Sequence, residues 1–114
     1  MIFTSAKQDY ADWVLDKLDQ DRLIAHRLYR QHVCHLDDGG CVKDLNQVGR
    51  DLSKCVLVDN KVSNFSNLPQ NGIHIESYID DPTDRELPKL GQRLLNMVNH
   101  SSGDIRVALN AVKY

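Results

Sequence analysis

The apolar positions of this chain change period several times, and each change predicts an element. Met1-Ile2-Phe3 is a short extended run that stops at Thr4-Ser5. Ala11, Val14, Leu15 and Leu18 then recur at helical spacing and predict a helix reaching about Leu18. Ser5 reads as its N-cap, with Gln8 completing a capping box. Asp9, Asp12, Asp16 and Lys17 fall mostly on the wet side, and Trp13 reads as a packing residue. Residues 23–29 predict a strand or an irregular extended segment, followed by Arg30. Residues 33–36 and 41–43, separated by Asp37-Asp38-Gly39-Gly40, predict a β-hairpin, because Asp-Gly is a strong hairpin signal. Asp44 can cap a short helical turn carrying Leu45 and Val48, closed by Gly49.

The second half follows the same logic. Cys55-Val56-Leu57-Val58 is a continuous apolar run ending on Asp59-Asn60 and predicts a buried strand of a parallel sheet. A polar loop over residues 61–70 is pinned by Phe65 and Leu68. Asn71-Gly72 predicts a turn and Ile73-His74-Ile75 a short strand, with His74 at its surface or edge. Asp80-Asp81-Pro82 reads as a solvated loop. Thr83 and Glu86 form a second capping box ahead of a long amphipathic helix whose stripe is Leu87, Leu90, Leu94, Leu95 and Val98. Pro88 is tolerated in its first turn. Residues 104–114 form a last short helix or fray. The pattern as a whole is α/β.

Composition changes this picture little. The 114 residues carry a formal charge of −2, a 41% hydrophobic fraction and a 26% charged fraction, which fit one globular domain. The charge gives no reason to expect nucleic-acid or anionic-membrane binding. No apolar run is long enough to span a bilayer and no secretory signal opens the chain. Three cysteines, Cys34, Cys41 and Cys55, with no CxxC spacing, argue for reduced thiols in the cytosol or nucleus. Cys34, His35 and Cys41 match no zinc-finger spacing.

Two strand ends carry candidate chemistry. In open α/β sheets ligands bind beyond the carboxyl ends of the strands. There, Asp59 and Asn60 offer hard oxygen ligands that suit magnesium, or they merely open a turn. The Thr4 hydroxyl, beside the free N–H groups of the following helix, can hold a phosphate, or it satisfies a neighbouring backbone group. Lys43, at the end of the hairpin, matters only if it faces the same place as Asp59.

Three groups of segments together carry a resemblance. They are Phe3-Thr4-Ser5-Ala6 with Tyr10-Ala11-Asp12; Tyr29-Arg30 with Val42-Lys43-Asp44-Leu45 and Gly49-Arg50-Asp51-Leu52; and Val58-Asp59-Asn60 with Asp81-Pro82-Thr83-Asp84-Arg85-Glu86-Leu87. In this order they resemble the FCP-homology domain of the haloacid dehalogenase superfamily. That domain is shared by small RNA polymerase II C-terminal-domain phosphatases, dullard-like phosphatases and a mitochondrial import receptor subunit. The resemblance implies a parallel sheet with flanking helices and a β-hairpin insertion. It implies that Thr4 and Lys43 are catalytic, that Asn60 is a Mg2+ ligand with Asp59 as its acidic neighbour, and that Arg30, with Ser5, seats the substrate. The implied substrate is a phosphoserine or phosphothreonine protein, with the RNA polymerase II C-terminal domain a candidate.

The chain also departs from that pattern. The family's nucleophile lies in an Asp-x-Asp-x-Thr motif, and no such motif occurs in these 114 residues. Lys61-Val62 follows Asp59-Asn60 where the family has Ser-Pro, and the hairpin is one residue longer. The expectation is therefore the carboxy-terminal part of a magnesium-dependent protein Ser/Thr phosphatase, inactive without its nucleophile segment. The alternative is a non-catalytic phosphopeptide-binding or import-type module. The strand bearing the nucleophile belongs between those ending at Thr4 and at Asp59. The chain is thus expected either to be marginally stable or to close the gap by pairing these two strands.

Overall fold

The computed structural model describes residues 1–100 and 103–111. Its fold is mixed α/β, with three α-helices and six short strands among the described residues, and it falls into two compact units, Met1–Lys43 and the residues from Asp44 onward.

The first unit opens with a β-α-β element. Strand β1 (Ile2–Phe3) and strand β2 (Arg27–Leu28) run parallel, with Ile2 opposite Arg27 and Phe3 opposite Leu28. Helix α1 (Gln8–Leu18) lies between them in the chain, as a parallel crossover requires. Ala11 and Leu15 are buried, so the expected stripe holds at its centre. Its last position does not, Leu18 being 77% exposed, and Trp13, expected as a packing residue, is 60% exposed. Trp13 packs instead under the Lys17 ammonium, which stands 3.4 Å from the ring centre. The helix also starts later than expected, at Gln8, with Lys7 in the cap position and no side-chain cap. Ser5 is not the cap because the chain is still engaged with Arg30 there: the Ser5 carbonyl accepts from Arg30 Nε at 2.7 Å and the Ala6 carbonyl from Arg30 N–H at 3.1 Å.

Polar contacts tie α1 to β2. Arg27 Nη1 reaches Asp12 at 2.9 Å and Asp16 at 3.0 Å, and the Tyr29 hydroxyl donates to Asp12 at 2.5 Å. Strands β3 (Cys34–His35) and β4 (Cys41–Val42) form the expected antiparallel hairpin. Gly39 takes φ +87° in its turn, a conformation open to glycine at little cost.

In the second unit Asp44 caps the turn Leu45–Gln47, accepting from Asn46 N–H at 3.0 Å. Strand β5 (Leu57–Asp59) pairs in parallel with β6 (Gly72–His74), Asp59 standing opposite His74. The expected polar loop contains two 3-10 turns, Val62–Phe65 and Pro69–Asn71. Asn71-Gly72 is the junction of the second turn with β6 rather than a separate turn. Asn71 is fully buried, and its amide donates to the carbonyls of Leu52 at 2.8 Å and Cys55 at 3.0 Å. It thereby fastens the segment that enters β5.

Helix α2 (Glu86–His100) carries the predicted amphipathic pattern, but Leu90 is its buried position, with Leu94 and Met97 partly buried against the same cluster. Leu87, Leu95 and Val98 are exposed, because the apolar arc is wider than the surface available to cover it. Its start is held by Asp84, whose side chain accepts from Glu86 N–H at 2.8 Å. Thr83 does not cap it: its N–H and hydroxyl both turn back to Asp81 Oδ1, at 2.9 and 2.7 Å. Helix α3 (Ile105–Ala111) supplies Ile105 and Leu109, which join Ile73 and Leu90 in one core cluster. A second cluster comprises Leu45, Leu57 and Phe65. The expected last helix over residues 104–114 is thus present as far as Ala111, and its remaining positions lie outside the described residues.

The single parallel sheet expected from the pattern is replaced, among the described residues, by three two-stranded ladders. Within the first unit β1 pairs with β2, and within the second β5 pairs with β6.

Candidate functional site

The candidate residues divide between the two units. Thr4, Ser5, Arg30 and Lys43 belong to the first, Asp59 and Asn60 to the second.

Thr4 follows β1 directly and extends its ladder, its N–H donating to the Leu28 carbonyl at 2.9 Å. Its Oγ1 accepts from Ala6 N–H at 3.1 Å. The local reading of this hydroxyl is therefore correct as far as it goes, and it fixes the rotamer. A hydroxyl that accepts one hydrogen bond still has a proton to donate. Arg30 closes over the same three residues through the contacts to Ser5 and Ala6 described above. Those contacts use its Nε and its backbone N–H, and the side chain is exposed. The turn Arg30–His32 is set by His32, whose Nδ1 accepts from Tyr29 N–H at 2.8 Å. The result is a clasp: a hydroxyl, a short stretch of backbone and a guanidinium held in one geometry. Such groups stabilise an anion, above all a phosphate, for which arginine has a matching fork of donors.

Lys43 directly follows β4 and is buried, at 8% exposure. A buried ammonium is costly unless paired or hydrogen-bonded, and a lysine in that position is not the solvated strand-end residue that such spacing usually gives.

In the second unit Asp59 is also buried. Its Oδ1 accepts from Lys61 N–H at 2.9 Å and its Oδ2 from the Asn64 amide at 3.1 Å. This is the turn-opening role foreseen for an acid at this position, strengthened by a second donor. Asn60 is exposed and its Nδ2 donates to Ser77 Oγ at 2.9 Å. That bond uses the donor end of the amide and leaves its oxygen, which can only accept, out of the contact. Asn64 was not foreseen as a site residue. The signal for it was available, since an amide five residues beyond a buried acid is its natural donor.

Magnesium takes near-octahedral oxygen coordination, commonly with one or two carboxylates. Asn60 Oδ1 is a donor of the right kind. Both oxygens of Asp59 are already held by donors, and among the described residues no group of three His, Cys, Asp or Glu stands together. These residues supply part of a magnesium donor set and not the whole. The acidic pair Asp80 and Asp81 adds nothing to it: Asp81 is spent on Thr83, whose hydroxyl and then N–H hold its carboxyl below the ordinary 3.8.

No helix of the described residues is long and apolar enough to cross a membrane.

Comparison with known proteins bears on the same residues. The pattern of the family described as NLI interacting factor-like phosphatase matches residues 1–106. A probable C-terminal domain small phosphatase of Dictyostelium discoideum is 42% identical over 110 residues, which is 96% of this chain and 35% of that protein. CTD nuclear envelope phosphatase 1B of Danio rerio is 41% identical over 91 residues, 79% of this chain and 37% of its own length. CTD small phosphatase-like protein 3 of Caenorhabditis elegans is 46% identical over 91 residues, covering 79% of this chain and 31% of that one. The chain thus spans about a third of the length of these relatives. With its first 106 residues matched throughout, it belongs to the NLI interacting factor-like phosphatase family.

Proposed function

We propose that this chain carries the phosphate-seating and charge-neutralising part of a magnesium-dependent protein serine/threonine phosphatase of haloacid-dehalogenase type. The observation that carries the proposal is the Thr4–Arg30 clasp. It presents a hydroxyl proton and a guanidinium fork from a backbone segment that Arg30 itself holds in place. Phosphoryl transfer asks little of a protein beyond positioning and charge stabilisation, and those are what this arrangement offers.

The roles follow from the chemistry of each group. Thr4 donates its hydroxyl proton to a phosphoryl oxygen. Arg30 takes a second oxygen through its terminal nitrogens and so orients the phosphorylated side chain, with Ser5 lending the backbone to which it is anchored. Lys43 neutralises charge as the phosphoryl group moves. Asn60 contributes its oxygen to magnesium, and Asp59 holds the loop that carries Asn60. Bound there, magnesium supplies further neutralisation of the phosphoryl charge. The nucleophile is an aspartate of an Asp-x-Asp-x-Thr segment that these 114 residues do not contain. The chain by itself is therefore inactive, and the substrate is a phosphoserine or phosphothreonine protein. The C-terminal domain of RNA polymerase II, which the resemblance in sequence implies, is the first candidate, and residence in the nucleus or cytoplasm follows from the same reading.

The test is hydrolysis of para-nitrophenyl phosphate with magnesium by this chain and by a version extended at its amino end with an Asp-x-Asp-x-Thr strand. Activity of the extended protein alone supports the proposal. Equal activity in both places the nucleophile elsewhere. The alternative is a non-catalytic phosphopeptide-binding or import-type module. It would show as phosphopeptide binding with no turnover in either protein.

A further inference from the structure

The β3–β4 hairpin sets a thiol against an imidazole, and none of the roles above uses either. His35 stands opposite Cys41 in the ladder. Leu36 N–H donates to the Gly40 carbonyl at 2.7 Å, which makes Leu36–Gly40 a bonded pair. The next pair, His35–Cys41, is then of the non-bonded kind, in which facing side chains come closer. Cys41 Sγ lies 3.4 Å from His35 Nδ1. His35 is exposed and Cys41 half-buried, so a small solute reaches the sulfur.

The other two cysteines differ in this respect. All three are free and half-buried, so exposure does not separate them. Cys34 is adjacent to His35 and therefore points to the opposite face of the hairpin. Cys55 packs against the Leu45, Leu57 and Phe65 cluster. Neither has an imidazole within hydrogen-bond distance among the described residues.

We propose that Cys41 is a modification site for hydroperoxides, with His35 as its base. The thiolate is the reactive form of cysteine, and a positioned base produces it. The Sγ proton passes to His35 Nδ1. The sulfur then attacks one oxygen of the hydroperoxide; the S–O bond forms and the O–O bond breaks. Sulfur is oxidised to sulfenic acid and the peroxide is reduced, its departing oxygen taking the proton back from His35 to leave as water or an alcohol. Cys34 faces away and cannot resolve the product within the hairpin, so the sulfenic acid persists long enough to be trapped. This proposal does not rest on the phosphatase reading.

The experiment treats the reduced chain with limiting hydrogen peroxide in the presence of dimedone and maps the adducts by peptide mass spectrometry. Cys41 is expected to be labelled roughly tenfold faster than Cys34 or Cys55. His35→Gln is expected to bring Cys41 down to the rate of the other two and to leave theirs unchanged. Equal labelling of the three cysteines in the unsubstituted chain overturns the proposal, and so does an unchanged Cys41 rate in the variant. The ranking in the unsubstituted chain decides by itself even if the variant does not fold, a state that raises all three rates together.

Discussion

Asn64 donates its side-chain amide to Asp59 Oδ2 at 3.1 Å, and both residues are buried, at 9% and 6% exposure. The carboxylate at the end of β5 is thus held from within its own loop, with Lys61 N–H on the other oxygen. Removing one donor of a buried charged group leaves the acceptor without its partner, which costs more than the bond contributes. Asn64→Ala is expected to lower stability by about 1–3 kcal/mol, read from the midpoint of urea unfolding. A change near zero would mean that water reaches Oδ2 freely. Asn64→Asp should be worse, since it sets a second carboxylate against the first.

Gly72 opens β6 directly beneath Phe65. A Cβ built there would lie 2.1 Å from Phe65 Cδ2 and 2.3 Å from Cγ. The ring is packed in the Leu45–Leu57–Phe65 cluster and would have to shift toward the cavity that it lines with Gly72. Gly72→Ala is therefore expected to destabilise by roughly 3 kcal/mol or more, at the upper end for overpacking. Combining it with Phe65→Leu should recover part of the loss. If the double variant is no more stable than Gly72→Ala alone, the clash is not the cause.

The Asp12–Tyr29 pair makes stability depend on pH at both ends of the range. The Tyr29 hydroxyl first and the Arg27 guanidinium second hold the Asp12 carboxyl below its ordinary 3.8. A carboxyl depressed in the folded state contributes stability above its unfolded value and loses it as the pH falls through the folded one. The same hydrogen bond raises Tyr29 above 10.0, Asp12 being the leading cause. That contribution is complete below 10.0 and is lost as the pH rises through the raised value. Thermal midpoints followed from pH 7 downward and upward should fall on both limbs, and Tyr29→Phe should flatten both. A variant that keeps the full alkaline decline would locate that titration in another group.

Much of this was legible in the residues. The Asp37-Asp38-Gly39-Gly40 hairpin, the Asp44 turn and the strand ending at Asp59 follow from local chemistry, and each is where that chemistry puts it. The errors have separate physical causes. Ser5 has the right spacing to Gln8 for a cap, but Arg30, 25 residues away, holds its carbonyl and delays the helix. Thr83 has the right spacing to Glu86, but Asp81 and Asp84 compete for the same N–H groups at closer range. Leu87, Leu95 and Val98 carry a good helical period, and periodicity does not say how much of an apolar arc will be covered. Trp13 is exposed because the Lys17 ammonium partly replaces a core for it. Of the candidate residues, the strand-end positions of Thr4 and Asp59 could be read from pattern. The Arg30 contact to Ser5 could not, since it joins residues whose proximity only the β1–β2 ladder creates.

Lys43 is the residue on which turnover should depend most. In the amino-terminally extended protein, Lys43→Met is expected to lower kcat roughly 10²–10³-fold, the usual effect of removing one preorganised charge-stabilising group. The thermal midpoint should be measured on the same preparation, because the ammonium is buried. A large loss of kcat with little change in the midpoint supports the charge role. A parallel loss of both assigns Lys43 to the fold.

Arg30 makes a sharper case, because its two functions use different atoms. Nε is spent on the Ser5 carbonyl, and the terminal nitrogens are left for an anion. A lysine carries the charge but has neither the fork nor an Nε to anchor it. Arg30→Lys in the extended protein is therefore expected to behave much like Arg30→Ala, raising KM for a phosphopeptide roughly tenfold while kcat changes less. If lysine restores normal KM, charge alone seats the substrate and the clasp is incidental. If both substitutions act on kcat and leave KM unchanged, Arg30 belongs with Lys43 in stabilising the transferring group. The comparison needs only initial rates on one phosphopeptide at several concentrations.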